Sequence, residues 1–154
     1  MCDVEENLYF AYGSNLDLEQ MAQRCPDAEI VGPVRLENYE LRFRGSGFAT
    51  VAPKKGSTVH GLVWKLTPNC EQSLDRYEGY PHFYYKTELE LPLAETGKKL
   101  TAFVYIMHEE RRLGIPTSAY VSTCKFGYTI FGFDFKYLDE AYEKSLKGVA
   151  NNEK

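Results

Sequence analysis

The chain has 154 residues, 44% of them hydrophobic and 26% charged, which fits one globular domain over 1–154 and excludes a disordered, collagen-like or coiled-coil chain. A net charge of −4, from 18 basic and 22 acidic residues, offers no field for gathering phosphates, so nucleic acid is not an expected partner. No apolar run reaches the length of a membrane span, and the acidic start Met1 to Glu6 does not match a signal peptide's basic n-region; a cytoplasmic protein with no membrane partner is expected.

In chain order, Asn7 to Tyr12 is short and aromatic and ends at Gly13, which predicts a buried strand entering a turn. Leu18, Met21, Ala22 and Cys25 then fall at helical spacing, with Asp17 as N-cap, Gln20 three residues on as its capping-box partner, and Pro26 as the stop. Two strands follow. In Glu37 to Arg44 the residues Tyr39, Leu41 and Phe43 alternate with charges, and Thr58 to Leu66 is apolar on both faces. Lys54-Lys55-Gly56 between them reads as a hairpin turn. The segment from Thr67 to Pro81 has Thr at the cap, Pro at the first helical position, Cys70, Leu74 and Tyr77 on one face, and Gly79 just past the end. Tyr84 to Leu93 and Leu100 to Met107 are the last strands, and helices at Ser118 to Tyr128 and after Asp134 complete the chain. In the last helix Leu138, Ala141, Tyr142, Ser145 and Val149 form a stripe, with fraying expected at 151–154.

Strands with helices between and after them predict an α+β domain. The 14% aromatic content, with 12 Tyr and 9 Phe, favours a curled sheet around a pocket that is both apolar and hydrogen-bonding. The four cysteines, Cys2, Cys25, Cys70 and Cys124, lack a C-x-x-C pair, so they are expected as reduced thiols, three of them buried, with no zinc site. His60, His82 and His108 show no metal spacing and read as structural.

Two segments could carry chemistry. A strand turning through Gly13-Ser14-Asn15 into a helix aligns unpaired backbone N–H groups that suit an anion; the same residues also describe an ordinary strand-to-helix turn. The segment is neither a Walker loop, lacking the Lys, nor a nucleophile elbow. Glu78 falls in the last turn of its helix among Tyr77, Gly79, Tyr80 and Pro81. The helix terminus and the apolar neighbours both push its pKa toward the range of a general acid/base, although many glutamates at helix ends are solvated and idle. Asp75 and Arg76 read as surface charges.

The blocks Tyr9-Phe10-Ala11-Tyr12-Gly13-Ser14-Asn15-Leu16, His60-Gly61-Leu62-Val63-Trp64, Leu74-Asp75-Arg76-Tyr77-Glu78-Gly79 and Phe103-Val104-Tyr105-Ile106-Met107 together resemble the γ-glutamyl cyclotransferase-like family, which takes in AIG2-like and butirosin-biosynthesis-type cyclotransferases. That resemblance implies a small mixed β-barrel with flanking helices, no cofactor or metal, and a small-molecule γ-glutamyl amide as partner. It makes Tyr12, Gly13, Ser14, Asn15 and Leu16 the turn that grips substrate and Glu78 the catalytic acid/base, with Tyr105 and Tyr120 as aromatic pocket residues. The implied reaction is attack of the substrate α-amine on its own γ-carbonyl, giving 5-oxoproline and a free amine or amino acid. Asn15-Leu16 after Tyr-Gly-Ser points away from the glutathione-specific branch. Two alternatives stay open: removal of a γ-glutamyl protecting group during biosynthesis, and a silent domain that binds γ-glutamyl or carboxylate ligands. A monomer and a homodimer are equally compatible with the sequence.

Overall fold

Five strands form one mixed sheet in the order β2-β3-β1-β5-β4, in the computed structural model that describes residues 7–152, with side chains to residue 150. The elements are β1 (Leu8–Ala11), a 3₁₀ turn (Ser14–Leu16), α1 (Leu18–Arg24), β2 (Glu29–Arg44), β3 (Phe48–Lys65), α2 (Pro68–Glu78), β4 (Tyr84–Pro92), β5 (Lys99–Met107), α3 (Ser118–Phe131) and α4 (Lys136–Asn152). Strand β1 lies at the centre, antiparallel to β3 and parallel to β5. The sheet curls until its two edges meet: Val34 of β2 bridges Leu93, and Ala94 N donates to Pro33 O at 2.9 Å. This closure at one end gives the barrel-like form, and a continuous core of Phe10, Phe43, Leu62, Leu74, Leu91 and Val104 fills it.

Local chemistry explains most boundaries. In α2, Thr67 accepts from Cys70 N, Pro68 opens the first turn where its missing N–H costs nothing, and Gly79 ends the helix with a left-handed φ of 66°. Asp17 caps α1 by accepting from Glu19 N at 3.0 Å. The capping box does not form, because Asp17 N already donates to Ser14 O at 3.0 Å and the Gln20 amide oxygen accepts from Arg24 instead. Asp134 accepts from Lys136 N at the start of α4, and Leu138, Ala141 and Ser145 of its stripe are buried over β2, where Ser145 Oγ donates to Phe43 O at 3.3 Å.

Strands β2 and β3 are longer than expected. The hairpin turns at Gly45–Gly47 rather than at Lys54-Lys55-Gly56, which lies inside β3 as a bulge. There the register slips opposite Asn38, whose side chain accepts from Gly56 N at 3.2 Å. Turn-type residues serve the bulge because the strands pair on both sides of it. Helix α3 runs three residues past Tyr128, and α4 continues to Asn152. Cys25, Cys70 and Cys124 are free and buried. Burial pushes the Cys25 and Cys124 thiols up to about 12. Cys2, the acidic start Met1 to Glu6 and residues 153–154 lie outside the described residues. Among the described residues no helix is long and apolar enough to cross a membrane, and no His, Cys, Asp and Glu cluster is placed to hold a metal ion.

Candidate active site

A cavity of about 610 Å³ opens where the β1–α1 turn, the C-terminal end of α2, the β2–β3 hairpin and the start of α3 converge. That volume suits a small metabolite. The fold brings Tyr12, Gly13, Ser14, Asn15, Glu78, Tyr105 and Tyr120 onto its wall. Leu16 departs from expectation. It is fully buried and points into the core, where α3 presses so closely that a Cβ on Gly127 would sit 2.4 Å from the Leu16 Cβ.

The turn between β1 and α1 is rigid. Its first helical backbone bond runs from Leu16 N to Gly13 O at 3.1 Å, so the N–H groups of Ser14 and Asn15 precede the helical ladder. A Cβ on Gly13 would lie 3.2 Å from the Ala49 Cβ and 3.3 Å from the Tyr120 hydroxyl, so a side chain there would press on both neighbours. Arg24, at the end of α1, returns to this turn. Its guanidinium donates to the Asn15 carbonyl and lies 3.5 Å from Ser14 Oγ, while its plane covers the Tyr77 ring at 3.5 Å from the centroid. A guanidinium can only donate, so the Asn15 amide must turn its oxygen to Arg24 and its NH₂ to Tyr9, which accepts at 2.9 Å.

Among the described residues Glu78 is the one carboxylate on the cavity wall, and none of their ion pairs involves it. Burial raises its carboxyl from an ordinary 4.5 to about 7, and the Arg24 charge opposes part of that rise. Five phenols surround it electrostatically. Burial lifts Tyr9, Tyr12, Tyr84, Tyr105 and Tyr120, and the Glu78 charge adds to the rise in each. These phenols stay protonated near neutrality, and each is held by hydrogen bonds: Tyr12 donates to Tyr105 O at 2.6 Å, Tyr84 donates to Ala49 O at 2.7 Å, and Tyr120 accepts from Ala49 N at 3.1 Å.

Among the described residues the wall contains no His, Cys or Lys. Ser14, in the β1–α1 turn, is engaged with the Tyr77 hydroxyl at 3.3 Å rather than with a base. His60 instead stacks on Phe133, and His108 faces Pro81 O. Sequence reasoning missed Arg24, Tyr84 and Asp75. Asp75 is no free surface charge: it accepts from the Tyr105 hydroxyl at 2.6 Å and pairs with Lys86 at 2.8 Å. Its position three residues before Glu78 is the only local sign.

A half-buried carboxyl held near neutrality and the backbone turn at Gly13–Asn15 thus line one cavity. The matching family model is that of gamma-glutamyl cyclotransferase, AIG2-like, over residues 9–122, and the chain belongs to that family. Among its relatives, the gamma-glutamylcyclotransferase of Homo sapiens is 36% identical over 116 residues, a match spanning 68% of this chain and 61% of the human protein. The gamma-glutamylcyclotransferase of Bos taurus is 30% identical over 162 residues, covering 98% of this chain and 82% of the bovine one. A solved structure of a gamma-glutamyl cyclotransferase superimposes with a TM-score of 0.80 at 30% identity, covering 89% of this chain and 86% of that one.

Proposed function

We infer that this chain is a γ-glutamyl cyclotransferase in which Glu78 moves both protons of the reaction. The observation that carries the assignment of Glu78 is its half-buried place on the cavity wall, with a carboxyl raised to about 7 and in no ion pair among the described residues. A group with that affinity accepts and returns a proton near neutral pH.

The sparse wall suits a substrate that brings its own nucleophile. A γ-glutamyl amide carries an α-amine one ring closure from its γ-carbonyl, so the protein has no need of an attacking Ser or Cys. Holding the chain curled supplies the orientation that makes this closure fast. Glu78 as carboxylate takes a proton from the α-ammonium, and the freed amine attacks the γ-carbonyl to form the ring C–N bond. The tetrahedral intermediate then collapses as Glu78 returns that proton to the leaving nitrogen and the bond to it breaks; the carboxylate then takes the second proton from the ring nitrogen, leaving the neutral lactam, and passes it to the released amine, which departs as its ammonium form. The products are 5-oxoproline and an amine or amino acid. The N–H groups of Ser14 and Asn15 are the donors for the substrate's anionic or carbonyl oxygen, supported by Arg24 behind them.

Product identity tests this. A γ-glutamyl dipeptide should yield 5-oxoproline by mass spectrometry, and its N-acetylated counterpart should stay intact because acylation removes the nucleophilic lone pair. Free glutamate from the first, or cleavage of the second, would mean that water or a protein group attacks. Binding of both without reaction would favour a silent γ-glutamyl-binding domain.

A further inference from the structure

Hydroxyl groups in the cavity differ in where their protons go. Tyr12 donates to Tyr105 O, Tyr84 to Ala49 O and Tyr105 to Asp75 Oδ1. Each therefore turns only lone pairs toward a ligand. Tyr120 and Tyr9 receive N–H donors instead, from Ala49 and Asn15, so their own protons remain available. The wall thus carries both accepting and donating phenols.

Of the accepting phenols, Tyr105 has the strongest constraint. A carboxylate can only accept, so the Tyr105 O–H must point at Asp75. Lys86 of β4 sits 2.8 Å from the same Asp75 oxygen and also binds Glu71, tying β4 to α2. Asp75 and Glu78 lie one helical turn apart, so the Asp75–Tyr105 bond and the Glu78 carboxyl share one end of α2.

We propose that Asp75 is a positioning residue that fixes Tyr105 as a hydrogen-bond acceptor, so that the Tyr105 oxygen and Glu78 together receive the substrate's α-ammonium group. An ammonium has three donors and no acceptor, and it matches the lone pairs of the Tyr105 oxygen and the Glu78 carboxylate. With the Tyr105 proton turned inward, the same phenol would repel the ammonium and attract the carbonyl, placing the amine away from the γ-carbon. The proposal rests on the cyclotransferase reading above and specifies which wall group holds the amine.

The test uses two probes, γ-glutamyl-alanine and glutaryl-alanine, which differ only by the α-amine, with calorimetry on the full chain and steady-state kinetics. Asp75→Ala should weaken binding of γ-glutamyl-alanine and lower its kcat/KM by about 10- to 100-fold, the range for one lost hydrogen bond to a charged group. Binding of glutaryl-alanine should be unchanged. Lys86→Met, which removes the ion pair but leaves the Asp75–Tyr105 bond, should stay within about twofold of wild type for both probes. Adding Asp75→Ala to Tyr105→Phe should cost nothing further. Equal weakening of both probes by Asp75→Ala, or additive losses in the double variant, would overturn the proposal in favour of a purely structural ion network. If Asp75→Ala does not fold, Asp75→Asn, whose amide can turn its NH₂ to Tyr105, carries the same comparison. Should wild type bind γ-glutamyl-alanine without releasing 5-oxoproline, the catalytic reading fails, while the paired calorimetry still decides the role of Asp75.

Discussion

Replacing Glu78 by Gln should make the protein more stable and nearly inactive, with a pH dependence that exposes the cause. In the folded state burial holds this carboxyl at about 7, against an ordinary 4.5. Below 4.5 the group is protonated in both folded and unfolded chains and contributes no difference. As pH rises from there, the unfolded chain releases a proton that the folded chain keeps, so wild type loses stability until the pH passes about 7. That interval is about 2.5 pH units, which at ~1.36 kcal/mol per unit amounts to roughly 3 kcal/mol. Gln stays neutral throughout. Urea denaturation of both proteins from pH 4 to 8 should show the stability advantage of Glu78→Gln growing across this range and then levelling, since the other carboxyls cancel in the difference. Activity should fall by about 10²- to 10⁴-fold in the same variant, and wild-type kcat/KM should rise with pH through about 7 as Glu78 becomes a base. A stability difference that stays flat from pH 4 to 8 would show that Glu78 is solvated and not poised.

Two other perturbations act on Glu78's surroundings. Arg24→Met removes the charge that opposes the rise in the Glu78 pKa, so the rising limb of the pH–rate profile should move to higher pH; an unmoved limb would mean that Arg24 serves only the Asn15 turn. Gly13→Val inserts branched carbons where a Cβ already meets Ala49 at 3.2 Å and the Tyr120 hydroxyl at 3.3 Å, so it should cost about 1–3 kcal/mol of stability and raise KM, and unaltered affinity for a γ-glutamyl ligand in a folded variant would count against the turn as a binding element.

The way the sequence discloses Glu78 is local. The Thr67, Pro68 and Gly79 stop signals place α2 to the residue, so the position of Glu78 in the final turn follows from neighbours alone. The same holds for β1, the turn at Gly13 and the alternation in β4. The first half of β2 was hidden for an equally definite reason. Gly32 and Pro33 look like strand breakers, yet β2 is an edge strand, where a residue without an N–H breaks no ladder, and Gly32 sits at a register shift. Lys54-Lys55-Gly56 carried real turn chemistry, but that chemistry makes a bulge when the flanking residues on both sides find partners in β2.

Within the site, legibility stops where a residue's role depends on a distant partner. Asp75 looks solvated on its helix, and only the curl of the sheet brings Tyr105, thirty residues on, within 2.6 Å of it. Arg24 closes α1 as a favourable cation at a helix C-terminus, which is reason enough for it in sequence, and its second task over Tyr77 and Asn15 appears only when α2 packs beside α1. Leu16 errs the other way. It stands inside the most recognisable motif, yet a 3₁₀ turn of three residues has to anchor one side chain in the core to present the backbone of the others, and Leu16 is that anchor beneath Gly127. A motif of five residues therefore divides into a backbone face that meets the cavity and an apolar root that holds it still. Shortening Leu16 should loosen the position of the Ser14 and Asn15 N–H groups before it touches any group that a ligand could contact.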